Sequence, residues 1–478
     1  MHRPCQLIHR SSRRGSWRAS LVTSLILFAS APAWAQSQPA EPPAEDPAAP
    51  PADQDPAAAP ADQDPSAPPA EQEAPPPSAD QTNPVPAPAG TVPATSYPSM
   101  GPTHELLLGE NFFIRPGLML QSWTELLQDR VPQTNGDDGE YQFNTFLRRA
   151  RVFFAGGIFN KVTYLLLLEA ANFGKTVTAP DGTAVKGFNT LLFQDAFFSI
   201  NFNPAFTVQG GLMLVPFTRN ILQSTSTYLS LDVLTTTATF IAATQTSNLR
   251  DAGLQLKGNL NEDHFEYRLG MFQGIRQGSG QEGAQGGKNS PRFAGYLQYN
   301  FFDPEIGYVF NGQYFGHKKV AGVSAGFDYQ KTDGTDVDPY LAFSASAFAS
   351  IPLSGDAKTG GDEVAGLVQF LHFDPGTTLA PPPAPGGVAE QNDIAAELSY
   401  FNHAAKTSVF GKFEMRKNAD EVFEGADLTI IGGGLKYFIA EAALNGTLAY
   451  NRIDSPNAPE GTTNPINQIV LQIQVAYY

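Results

Sequence analysis

From about Leu106 onward, polar and apolar residues alternate with a period of two along most of the chain. That period places successive side chains on opposite faces of an extended strand. In 251–260, Ala252, Leu254, Leu256 and Leu260 share one face, and Gly253, Gln255, Lys257 and Asn259 the other. In 264–273, Phe265, Tyr267, Leu269 and Met271 oppose Glu266 and Arg268. In 292–301, Phe293, Leu297, Tyr299 and Phe301 oppose Gln298 and Asn300. In 407–416, Val409, Phe413 and Met415 oppose Lys412, Glu414 and Arg416. In 467–478, Ile469, Leu471, Ile473, Val475 and Tyr477 oppose Gln468, Gln472 and Gln474. Segments of about ten residues with this alternation, and no run long enough for a spanning helix, are the pattern of transmembrane strands.

A soluble sandwich also alternates. Three features favour a membrane barrel. Charges sit mid-strand on the polar face, as beside a wet lumen. Aromatic pairs close the strands, as at Phe153 and Phe154, Phe301 and Phe302, and Tyr477 and Tyr478. Tight turns at 203–204 and 261–263 alternate with long polar connections at 125–140, 173–188, 274–291 and 454–465. Hydrocarbon cannot satisfy a sheet edge, so such a sheet must close. The fold expected is therefore all-β: a transmembrane antiparallel β-barrel over 105–478. Seventeen strands can be marked from Asn111 on, but single-chain barrels have an even number. Loop sidedness fails between Glu305 and Pro375, which places the error there. Sixteen strands is the expectation, eighteen the alternative.

The N-terminal part is different in kind. The first 35 residues hold five arginines and no acid, then an apolar run, 21–33, and Ala33-Trp34-Ala35. That order reads as a secretory signal peptide, 1–35. Residues 36–104 are a linker rich in Pro, Ala and acids, in which 51–56 recurs as 60–65. With so little apolar surface it is expected to stay disordered and extended, as a periplasmic spacer or as a ligand for a periplasmic or cell-wall partner. The net charge of −17 argues against a nucleic-acid partner. The single cysteine, Cys5, falls in the signal, so no thiol chemistry or Cys-ligated metal is expected afterwards. The histidines His104, His264, His317, His372 and His403 show no metal-ligand spacing, and no cofactor or metal is expected.

Three ordered stretches resemble the phosphate-selective porin O and P family. They are 146–152, with Leu147-Arg148-Arg149-Ala150-Arg151; 195–217, from Asp195-Ala196-Phe197 to Gly211-Leu212-Met213-Leu214-Val215-Pro216-Phe217; and 307–328, with Gly307-Tyr308-Val309-Phe310 and Gly312-Gln313-Tyr314-Phe315-Gly316. The resemblance spans about 105–478. It implies an outer-membrane porin, a homotrimer passing small anions, with phosphate selectivity in view. It also implies that a loop after the fifth strand, 218–250, folds inward as the constriction. The terminal strand is similar to the signal read by the barrel-assembly machinery.

Anion passage would need cations in the narrow part, since closely placed Arg and Lys replace lost hydration. Arg148, Arg149 and Arg151 are the candidates that the resemblance implies. Strict alternation cannot send all three inward unless the strand is bulged. Lys257, Arg268, Lys412 and Arg416 fall on expected lumen faces. Glu266 and Glu414 share those faces, which makes a transverse field rather than a simple anion funnel.

Other readings stay open at this stage: a general diffusion porin, an outer-membrane lipase, or a secreted β-sandwich binding module. Gly322-Val323-Ser324-Ala325-Gly326 matches the hydrolase G-x-S-x-G pattern, but without the strand-to-helix elbow that motif needs. Gly278–Gly283 matches a dinucleotide fingerprint with no helix following, and Asp333, Asp336 and Asp338 lack EF-hand spacing. A channel, not an enzyme, is expected.

Overall fold

The computed structural model describes residues 106–108 and 111–477, apart from 133–135, 160, 179–183, 188–189, 239–243, 245, 247, 276–289, 332–337, 377–387, 420–426 and 459. The expected signal peptide and linker, the terminal Tyr478, and the motif at 278–283 lie outside the described residues.

Sixteen antiparallel strands close on themselves. In chain order they are β1 Phe112–Gln128, β2 Tyr141–Ile158, β3 Val162–Phe173, β4 Leu192–Asn203, β5 Phe206–Leu214, β6 Arg250–Leu260, β7 Phe265–Phe272 and β8 Arg292–Asn300. Then follow β9 Val320–Gln330, β10 Tyr340–Pro352, β11 Glu363–Asp374, β12 Gln391–Asn402, β13 Thr407–Asn418, β14 Leu428–Ala440, β15 Leu444–Asp454 and β16 Ile466–Tyr477. Each pairs with its sequence neighbour, and β16 pairs with β1 from Gln468↔Leu127 to Tyr477↔Leu118. No backbone edge is left along the wall, which is what a hydrocarbon surrounding demands. Leu106–Leu107 adds a two-residue strand against β1 at one rim. Among the described residues no helix is long and apolar enough to cross a membrane.

The alternation sorts the wall into two faces. Leu256 is 41% exposed on the outside, whereas its neighbour Gln255 is 1% exposed on the inside. The same split holds for Val409 against Glu414, and for Leu471 against Gln472. One aromatic expectation is corrected. Phe154 faces outward, but Phe153 is buried inside, because adjacent strand residues must face oppositely.

Two connections leave the wall and enter the lumen. The first, between β5 and β6, is 215–249, of which 215–238, 244, 246 and 248–249 are described. The second is 301–319, between β8 and β9, from the rim where the other turns are short. This second segment lies in the stretch where loop sidedness fails in the sequence. It carries no strand of the wall; its one ladder contact is an isolated bridge, Phe310↔Gln223, to the other insertion. Ser224 N donates to Phe310 O at 2.7 Å, and Phe310 N to Leu222 O at 2.8 Å.

Both segments go inside because they are apolar. Val215, Phe217, Ile221 and Leu222 from the first meet Tyr308 and Phe310 from the second. They pack on Phe153, Leu165, Phe197 and Met213 of the wall. Each fully buried side chain of this size contributes about 1.5–3 kcal/mol. Smaller apolar clusters form where Leu229 and Leu234 meet Val320 and Phe348, and where Leu231 meets Trp123, Phe146 and Phe410.

Candidate functional site

The arginines of β2 face inward because the strand is bulged. Gln121 of β1 pairs with Arg149, but the next residue, Ser122, pairs with Leu147. Against β3 the register does not shift: Leu147 pairs with Phe173 and Arg149 with Ala171, which sets Arg148 opposite Asn172, so the bulge lies on the β1 side. Arg148 is the extra residue. A bulge re-aims a side chain locally, and here it brings Arg148, Arg149 and Arg151 to one side.

These guanidiniums meet the inserted loop. Arg148 Nε donates to Asp232 Oδ2 at 2.7 Å, and its Nη1 to Asn172 Oδ1 at 3.1 Å. Arg149 forms an ion pair with the same Asp232 and donates to Gln121 Oε1 at 2.8 Å. Arg151 pairs with Glu169 at 2.9 Å and donates to Thr225 Oγ1. Burial pushes the Asp232 carboxyl up, but Arg148 and Arg149 outweigh it and hold it well below the ordinary carboxylate range. Three cations face two acids, so the cluster keeps one positive charge in excess.

The other expected residues also face inward, in two further groups. Lys257 and Arg268 share Glu266, at 3.3 and 2.9 Å. They also hold the second insertion. Arg268 donates to Tyr308 O at 2.7 Å and Gly307 O at 3.1 Å, and Lys257 donates to Gly307 O. Lys412 pairs with Glu414 at 2.8 Å, and Arg416 lies 3.9 Å from Asp393. The seven residues therefore do not form one site.

The inward-facing charges are more numerous than the sequence reading marked. Arg219 of the first insertion holds Glu305 of the second by two hydrogen bonds, at 2.6 and 2.7 Å, and its guanidinium lies 3.7 Å from the Phe348 ring centre. Arg250 pairs with Asp195, which also accepts from the Tyr308 hydroxyl. Arg292 pairs with Asp328. Lys436 donates to Tyr228 O. Strand parity marks Arg292, since it shares a face with Gln298. No local signal marks Arg219, Asp232 or Glu305, whose partners are distant in sequence. Acids cluster on β11–β13, where Glu363, Asp393, Glu397 and Glu414 are all buried.

The insertion 215–249 reaches wall strands around the lumen. Ser230 N donates to Glu397, Thr236 N to Glu414, and Ser226 O accepts from Gln474. The apolar residues Leu229, Leu231 and Leu234 are buried beneath it, while Phe240 and Ile241 lie outside the described residues. Ser324 sits within β9 with its hydroxyl 2.6 Å from Ser346 Oγ. Among the described residues, no three or more His, Cys, Asp or Glu are placed to hold a metal.

The family model for phosphate-selective porin O and P matches residues 127–313. Over that stretch the chain is similar to this porin family. The matched stretch runs from the end of β1 to the second insertion and holds the bulge and the whole first insertion. No curated protein matches the chain's sequence. Among solved structures it is similar to an anion-selective porin from Comamonas acidovorans, at 16% identity and TM-score 0.47, covering 77% of this chain and 100% of that one. It is similar to Salmonella typhi OmpF in complex with daunomycin, at 11% identity and TM-score 0.49, covering 78% and 100%. It is also similar to the outer membrane channel DcaP of Acinetobacter baumannii, at 8% identity and TM-score 0.47, covering 77% and 98%. The closed antiparallel barrel is one of the two forms in which a chain can cross a membrane.

Proposed function

We propose that this chain is an outer-membrane porin that passes small anions by passive diffusion, through a lumen narrowed by 215–249 and 301–319. The observation that carries the reading is the bulge at Arg148. It turns three arginines towards the inserted loop, against only two acids. Anions lose part of their hydration in a narrow passage, and fixed guanidiniums replace it. A planar guanidinium also suits phosphate, since it can donate two parallel bonds. Phosphate would compete with Asp232 for Arg148 and Arg149. Assembly as a homotrimer, recognition of β16 by the assembly machinery, and a periplasmic spacer role for 36–104 belong to the same proposal.

Planar-bilayer recording tests it. A potassium chloride gradient is expected to give a reversal potential of the sign for chloride preference, and added phosphate is expected to reduce chloride current. Arg148→Ala with Arg149→Ala is expected to lower the preference and to raise conductance, because the loop loses its tether. A cation-preferring channel indifferent to phosphate would refute the anion reading.

A general diffusion porin is the second reading. It is favoured by the acids on β11–β13, which lie across the barrel from β2. Opposite charges on facing walls make a transverse field that orders polar solutes without excluding either sign. Near-equal permeability to potassium and chloride would select it.

A further inference from the structure

Where the first insertion, the second insertion and strands β14–β16 meet, they line a partly open cavity of about 10 Å³. Its polar lining includes Thr225, Thr227, Gln313, Lys436, Gln472 and Gln474, and no carboxylate lines it. That volume holds about one water-sized occupant.

Two donors there lack a full set of acceptors. Lys436 is 6% exposed, and its ammonium donates to Tyr228 O. An ammonium carries three donors. The one carboxylate acting on it, Glu397, does so through space and not as an ion pair. Most of the other inward-facing cations described above sit in ion pairs with carboxylates. Gln313 is 3% exposed and its Nε2 has no partner. Gln472, also in the lining, accepts from Trp123 Nε1 at 2.7 Å. Lys436 Nζ also lies 5.6 Å from the Phe410 ring centre but has no ion-pair partner among the described residues; burying such a cation costs several kcal/mol, which one anion would offset.

We propose that this cavity is a subsite for a single small inorganic anion of about chloride size, partly dehydrated and held by Lys436 and Gln313. The inference rests on the anion reading above and adds to it a site on β14, away from the arginines of β2. A polyatomic anion would need the two insertions to move apart, so a halide is the expected occupant.

The test uses the full-length porin in planar bilayers under a potassium chloride gradient. The unaltered chain is measured first, and absence of chloride preference there defeats the anion reading itself. Given that preference, Lys436→Gln is expected to lower the chloride-to-potassium permeability ratio by up to about tenfold, the scale of one contact to a charged group. Lys436→Arg should retain the ratio. An unchanged ratio in Lys436→Gln would overturn the subsite. Crystals of the unaltered chain soaked in bromide give a readout independent of variant folding. An anomalous peak beside Lys436 Nζ is expected; a cavity holding water only overturns the proposal.

Discussion

Asp232 decides how firmly the first insertion is held, because both Arg148 and Arg149 bind it. Asp232→Asn removes one negative charge, leaves Arg148 without its carboxylate and leaves Arg149 only Glu169, at 3.9 Å. The expected outcome is a higher chloride preference together with a less stable loop, read as more open-channel noise in single-channel records. A lower preference would mean that the arginines do not face the conducting path. The pH dependence follows from the depressed carboxyl. A depressed folded-state pKa gives stability that is present above the unfolded value of about 3.9 and lost as pH falls through the folded value. The tether is therefore expected to persist from neutral pH down to about 4, with conductance flat over that window. A step in conductance near pH 5 would show that another group controls the loop. Gly312 gives a steric counterpart. A Cβ there would lie 1.9 Å from Gln223 Nε2 and 2.2 Å from Thr227 O. Gly312→Val should thus push the two insertions apart, and increased protease cleavage within them would show it.

The two insertions behave as one element. The Arg219–Glu305 pair joins them, with Tyr314 also donating to Glu305. Removing one partner of a buried pair costs about 3–5 kcal/mol, whereas replacing both with apolar residues is often neutral. Glu305→Gln is expected to loosen the insertions and raise conductance while the barrel still resists heating in detergent. Arg219→Met combined with Glu305→Leu should return conductance towards the original, and its failure to do so would leave the pair without a joining role. The wall strands were legible in the sequence and this element was only half so. Alternation marks a strand because its two faces meet different surroundings. The middle of the second insertion is buried in protein, so its apolar residues 308–310 look locally like wall. The first insertion was flagged by its length and by the family resemblance, but not its partners, since Asp232 meets residues more than eighty positions away.

At the scale of the whole barrel, the decisive physical contrast is between a lipid-facing exterior and a polar, protein-filled interior. Sequence alternation carries that contrast directly, which is why closure and strand direction followed from it. It does not carry charge pairing across the lumen, which depends on contacts between distant strands and insertions. Leu471 tests the contrast with one substitution. It lies mid-way along β16, is 47% exposed on the outer face, and pairs with Leu448 and Thr124 in the ladder. On a water-facing surface, Leu471→Arg would change stability by no more than about 0.5 kcal/mol. On a wall in lipid, an arginine near the midplane costs about 2–4 kcal/mol. Denaturant titration in phospholipid vesicles separates these values well. The larger loss is expected, and Leu471→Ala, which brings no charge into lipid, should lose clearly less. Equal, small losses for both would mean that the exposed apolar belt faces water, and the transmembrane reading would fall with it.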